Sequence, residues 1–107
     1  LPKTWKEYWE THYAGEVIWE MPFKDTETAE AFDAFRRLML LRDCYCDGWD
    51  ANWNDDSIKY ILYFSNEVSY VDKTYCERRP LSFPTEELAK EFLKNFEQLM
   101  IAAKRFL

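Results

Sequence analysis

The sequence predicts an α+β domain: a mainly antiparallel sheet of three to four strands, two long helices and a short N-terminal helix, with the helices packed on one face. Three observations carry this. Residues 26–47 and 85–106 repeat apolar side chains at helical spacing, as in Phe32, Phe35, Leu38 and Met39, and again in Leu88, Phe92, Phe96, Leu99 and Ala103. Between them lie two β-rich runs, IKYILYFS and VSYVDK, separated only by Asn66-Glu67. A chain of 107 residues with 2 glycines and 4 prolines holds one domain and leaves no room for a linker.

Each element has its own signals. Thr4-Trp5-Lys6-Glu7 reads as a capping box opening a short helix over 5–11, with Trp5, Tyr8, Trp9 and Tyr13 as its aromatic face. GEVIWEM, 15–21, reads as a strand that Pro22 ends. Asp25 or Thr26 caps the next helix, Glu27 and Glu30 fill its first turn, and Arg36, Arg37 and Arg42 occupy its later turns, as the helix dipole prefers. Gly48 is the natural C-terminal cap, with fraying expected around Cys44. Strands at 58–65 and 68–73 follow, then a third over 74–83 in which Pro80 marks an edge or an irregularity; three sequential strands with short turns predict a meander. Thr85 caps the last helix, Glu86 and Glu87 sit in its first turn, and Leu93, Met100 and Phe106 broaden its apolar stripe.

Twenty acidic against fourteen basic residues leave a net charge of −6. That balance argues against a phosphate-binding surface as the main business of the domain, because nucleic-acid affinity rests on clustered Lys and Arg. It suits a basic partner, including a groove that normally holds nucleic acid. Glu27, Glu30 and Asp33 share one helical side, and Asp43, Asp47, Asp50, Asp55 and Asp56 follow nearby. The pairs Arg36-Arg37, Arg78-Arg79 and Lys104-Arg105 lie near aromatics, a combination able to touch RNA, although solvated charge is the reading we favour. No apolar run approaches the roughly 18 residues needed to span a bilayer. LPKTWKEYWE is too polar for a secretion signal. Three cysteines leave one unpaired in any scheme, which fits a reducing cytoplasm.

The stretch DCYCDGWDANWNDDS, 43–57, is the densest in chemistry. Cys44, Cys46, Cys76 and His12 are the only soft ligands, and the zinc-knuckle spacing is missing. Asp50, Asn52 and Asn54 match the opening of a calcium loop, but Asp55 and Ile61 stand where Gly and Glu are required. One histidine, no nucleophile turn and no phosphate loop give no basis for catalysis. We therefore expect no catalytic, cofactor or metal site. Asn and Asp here suit turns and caps, and Trp49 and Trp53 suit packing or an interface. The expected partner-binding residues are Trp49, Asp50, Trp53, Asp55, Asp56, Arg78 and Arg79.

LPKTWKEYWE, LLRDCYCDGWDANW and LSFPTEELAKEFLKNF together resemble a small-protein family of Bacteroidetes phages and prophages. Its marks are the LPKTW start, the corner Gly48-Trp49-Asp50-Ala51-Asn52-Trp53 and the helix start Leu81-Ser82-Phe83-Pro84-Thr85-Glu86-Glu87. The likeness covers most of the chain and departs between Glu16 and Thr28, where the family carries a longer, more polar insertion. It brings no catalytic residues to transfer. It implies a phage product acting in the cytoplasm of a bacterial host. The expectation is a non-enzymatic inhibitor, monomeric or homodimeric, of a defence nuclease, sharpest as an anti-CRISPR protein against an RNA-targeting type VI effector or its guide-RNA complex. A phage assembly accessory and a small RNA-binding regulator are the alternatives.

Overall fold

The computed structural model describes residues 1–12 and 26–107. Its elements are α1 (Trp5–His12), α2 (Thr26–Cys46), β1 (Lys59–Ser65), β2 (Val68–Thr74), β3 (Ser82–Phe83) and α3 (Glu86–Ala102), closed by a 3-10 turn at Lys104–Phe106. This is an α+β domain with a three-stranded antiparallel sheet in the order β2-β1-β3. The strand expected at 15–21, Tyr13 and the side chains of Trp9, His12 and Thr26 lie outside the described residues.

α1 starts where the capping box places it. The Glu7 N–H donates to Thr4 Oγ1 at 3.1 Å, and Glu7 Oε2 accepts from the Lys3 N–H at 2.6 Å. Trp5 stacks on Tyr8 at 5.2 Å, and the Arg37 guanidinium lies 5.0 Å from the Trp5 ring centre, which fastens α1 to α2. α2 does not fray at Cys44; it runs to Cys46. Asp47 (φ 48°) and Gly48 (φ 83°) then take the left-handed conformation, and the Trp49 N–H returns to the Cys46 carbonyl at 2.9 Å. Gly48 is the C-terminal stop the sequence indicated.

The sheet is not the expected meander. β1 lies in the centre, pairing with β2 through the Asn66-Glu67 turn and with β3 on its other side. Asn66 (φ 53°) and Glu67 (φ 69°) are both left-handed, the type I′ geometry whose twist matches that of a two-residue hairpin. The third strand, expected over 74–83, is only Ser82–Phe83, extended by one ladder bond from the Leu62 N–H to the Leu81 carbonyl at 2.9 Å. Residues 75–81 instead carry the chain past the start of β1 to its opposite edge. Pro80, which has no N–H to give a ladder, falls in that crossover.

α3 carries the deepest core. The Thr85 side chain accepts from the Leu88 N–H at 3.2 Å, and Ala89, Phe92, Phe96 and Met100 are buried along one stripe. Leu38 and Leu41 of α2, Leu62 of β1 and Phe83 of β3 meet them. Each Leu, Phe and Met among them contributes about 1.5–3 kcal/mol by leaving water. Leu88 and Leu99, expected inside, flank the stripe and are half-buried. Tyr45 stands edge-on to Phe92 at 5.2 Å and to Phe96 at 5.7 Å. Its hydroxyl donates to the Pro2 carbonyl and accepts from Asn95, both at 2.9 Å. Burial raises its pKa, against the pull of the Asn95 hydrogen bond.

Candidate functional site

Two buried cations organise the stretch after α2. Arg42, 4% exposed, donates from Nε to the Ser82 carbonyl at 2.9 Å and from Nη1 to Asp50 at 2.9 Å and Asp43 at 3.1 Å. It also donates to the Trp49 carbonyl at 3.3 Å, and its guanidinium lies 5.6 Å from the Trp49 ring centre. The charge read as complementing the dipole of α2 is thus an internal tie between α2, β3 and the loop. Lys59 is completely buried on β1. Its ammonium donates to Asp55 Oδ1 at 3.0 Å and to the carbonyls of Asp55 and Tyr75, both at 3.1 Å, and lies 5.5 Å from the Trp53 ring centre. Acceptors and ring faces offset the cost of removing each charge from water.

Trp49, Asp50, Trp53 and Asp55 of the expected set are therefore gathered around two internal charges. Both tryptophans are half-buried. The loop itself is built from Asx turns: Asn52 Oδ1 accepts from the Asn54 N–H at 3.0 Å, and Asp55 Oδ1 from the Ser57 N–H at 2.9 Å. The Ser57 hydroxyl also donates to Asp55. The hydrogen bonds from Ser57, then that from Lys59, hold the Asp55 carboxyl down at about 2. Asp50 turns to Arg42, and Asn52 to the Asn54 N–H. Among the described residues no three His, Cys, Asp or Glu side chains form a group able to hold a metal. Burial pushes the Cys46 thiol up to about 11, against the nearby Arg42 charge, whereas Cys76 is exposed.

The second feature is the sheet face turned away from the helices. Along β1, Tyr60, Leu62 and Phe64 pack toward the helical core, so Lys59, Ile61 and Tyr63 alternate to the other side. Tyr63 pairs with Tyr70 across the hairpin, and their rings stack at 5.7 Å. The Arg79 guanidinium covers Tyr63 at 5.0 Å and is steadied by Glu77 at 3.4 Å. Val68 (51% exposed) and Tyr70 (44%) lie along this face at β2, and Tyr75 (56%) follows in the crossover. Exposed carboxylates border it: Asp72 on β2, Glu77 in the crossover, and Asp55 at the Lys59 end.

No family model, curated protein or solved structure matches the chain. The surface is therefore read from its own chemistry. Two stacked tyrosines under a guanidinium present flat π surface, phenol hydroxyls and planar N–H donors together, the side-chain types that concentrate binding energy in protein interfaces. Of the expected residues, Arg79 joins this face, Arg78 is exposed in the same crossover, and Asp56 is exposed beside Asp55. The reading from sequence missed Tyr63 and Tyr70. Their signal was present: alternation from Leu62 turns Tyr63 outward, and the two-residue turn fixes Tyr70 opposite it. Among the described residues no helix is long and apolar enough to cross a membrane.

Proposed function

We propose that this domain is a non-enzymatic, phage- or prophage-encoded inhibitor that binds a bacterial defence nuclease in the host cytoplasm. In its sharpest form it is an anti-CRISPR protein against an RNA-targeting type VI effector, closing the nucleic-acid or guide channel. The observation that supports this is the sheet face that no helix covers among the described residues, where Tyr63, Tyr70 and Arg79 stand among exposed Asp55, Asp72 and Glu77. The aromatic and arginine centre supplies contact energy, and the carboxylate border suits a basic channel and speeds encounter with it. The net charge of −6 acts in the same direction. The family likeness supplies the biological setting.

The test is co-purification of the whole chain with purified RNA-targeting effectors, together with target-RNA cleavage assays. A stable complex and suppressed cleavage are expected. The double variant Tyr63→Ala with Arg79→Ala should weaken binding at least about tenfold, an ordinary loss for hot-spot truncation. Failure to bind any such effector overturns the reading. The stacked tyrosines with Arg78 and Arg79 also favour a second reading, a small RNA-binding regulator that stacks unpaired bases. Its binding would fall steeply with salt, and absence of RNA retention at low salt removes it.

A further inference from the structure

We propose that Thr74 and Glu77 are positioning residues for Arg79: through them the crossover presents the Arg79 guanidinium already fixed in the orientation in which it binds. The gain in affinity rests on the proposed role of this face in binding a protein partner, whereas the order of Arg79 in the free chain does not.

Thr74-Tyr75-Cys76-Glu77 repeats the Ser/Thr-x-x-Glu pattern of a capping box, yet the chain runs on into the crossover and not into a helix. Half of the box forms. The Thr74 hydroxyl accepts from the Glu77 N–H at 2.9 Å and from the Cys76 N–H at 3.3 Å. In a complete box the glutamate carboxylate would return to the Thr74 N–H. Here Thr74 is paired with Lys59 in the ladder, and the Glu77 carboxylate accepts from Arg79 Nε at 3.4 Å. A turn of the kind that opens a helix thus aims an acceptor at the arginine.

The crossover is held around this turn. The Lys59 ammonium takes the Tyr75 carbonyl at 3.1 Å at its start, and the Leu62 N–H takes the Leu81 carbonyl at 2.9 Å at its end. Pro80 directly follows Arg79, and the proline ring restricts the backbone of the residue before it to extended conformations. One face of the guanidinium lies on Tyr63, 5.0 Å from the ring centre, and Tyr63 is itself stacked on Tyr70. Backbone, Nε and ring face are each held. Among the described residues no acceptor takes Nη1 or Nη2, which leaves that edge of the fork for a partner. Arg78 supplies the contrast: it is exposed, and among the described residues no hydrogen bond, ion pair or ring contact holds its side chain. Immobilising a mobile long side chain on association weakens binding by about two- to tenfold, and an arginine held in advance avoids that loss.

Side-chain nitrogen relaxation on the whole free chain reads the order of each arginine Nε–H. Arg79 should lie toward the rigid value of about 0.85, and Arg78 below about 0.6. Thr74→Val keeps the β-branched shape and removes the acceptor; it should drop Arg79 toward the value of Arg78, and Thr74→Ser should restore it. Glu77→Ala, at an exposed position outside the strand, should loosen Arg79 in the same way. Against an RNA-targeting effector that binds the chain, Thr74→Val should weaken affinity about two- to tenfold. In an Arg79→Ala background the same change should cost nothing, a result that a merely structural role for Thr74 would not give. A wild-type Arg79 as mobile as Arg78 overturns the proposal, as does an order unchanged in both Thr74→Val and Glu77→Ala. So does an equal loss of affinity from Thr74→Val with and without Arg79. Failure of every effector to bind removes the proposed function and leaves the relaxation result to decide the positioning of Arg79.

Discussion

Lys59 and Arg42 carry full charges at 0% and 4% exposure, and acceptors from one loop hold both there. The composition showed that the loop is rich in turn formers, and the Asx turns at Asn52 and Asp55 follow from it. What Asp50 and Asp55 attach to was not legible. Their partners sit on α2 and β1, and nothing local marks one lysine of a β-rich run as the buried one. The aspartate end of the tie is open to titration. The Asp55 carboxyl is lowered from 3.8 to about 2, so its folded-state pKa lies below the unfolded value. The stabilisation is complete above about pH 4 and is lost as pH falls toward 2. The urea midpoint of the wild type should therefore fall across that window more than that of Asp55→Asn. Parallel curves for the two proteins would show that the carboxylate contributes nothing there.

Among the elements, the helices were the most legible because their signals are local: spacing, caps and the glycine stop. The Thr85 cap illustrates this. Its side chain takes the Leu88 N–H at 3.2 Å, and Thr85→Ala should lower stability by about 1 kcal/mol in chemical denaturation, with Thr85→Ser restoring most of it. The hairpin was equally legible, since Asn66-Glu67 sets its length and so its register. β3 was not. Short connections usually join neighbouring strands, and that preference predicted a meander. The crossover that replaced it depends on a contact distant in sequence, from Lys59 to the Tyr75 carbonyl at 3.1 Å, and on a proline that cannot extend the ladder.

For the whole molecule, the sequence carried the fold class and the acidic balance, but it divided the candidate surface unevenly. Arg79 and the tryptophan corner were visible as residue types. The tyrosine pair became visible only once the sheet had an inside and an outside. A face with the helices behind it is a property of the assembled layers, and Tyr63, Tyr70 and Arg79 acquire their common plane there. The hairpin and the tie at Lys59 differ in when they can form. The β1–β2 hairpin closes through adjacent chain, whereas the Lys59 clasp must wait until residues 75–81 have passed the start of β1 and Phe83 has reached Tyr60. A contact made that late governs the lifetime of the native state more than the route to it. Lys59→Met removes the ammonium that joins Asp55 to the Tyr75 carbonyl, and that loss should appear on the unfolding limb of the chevron as a faster rate. The folding limb should stay in place, so the crossover acts as a latch against escape.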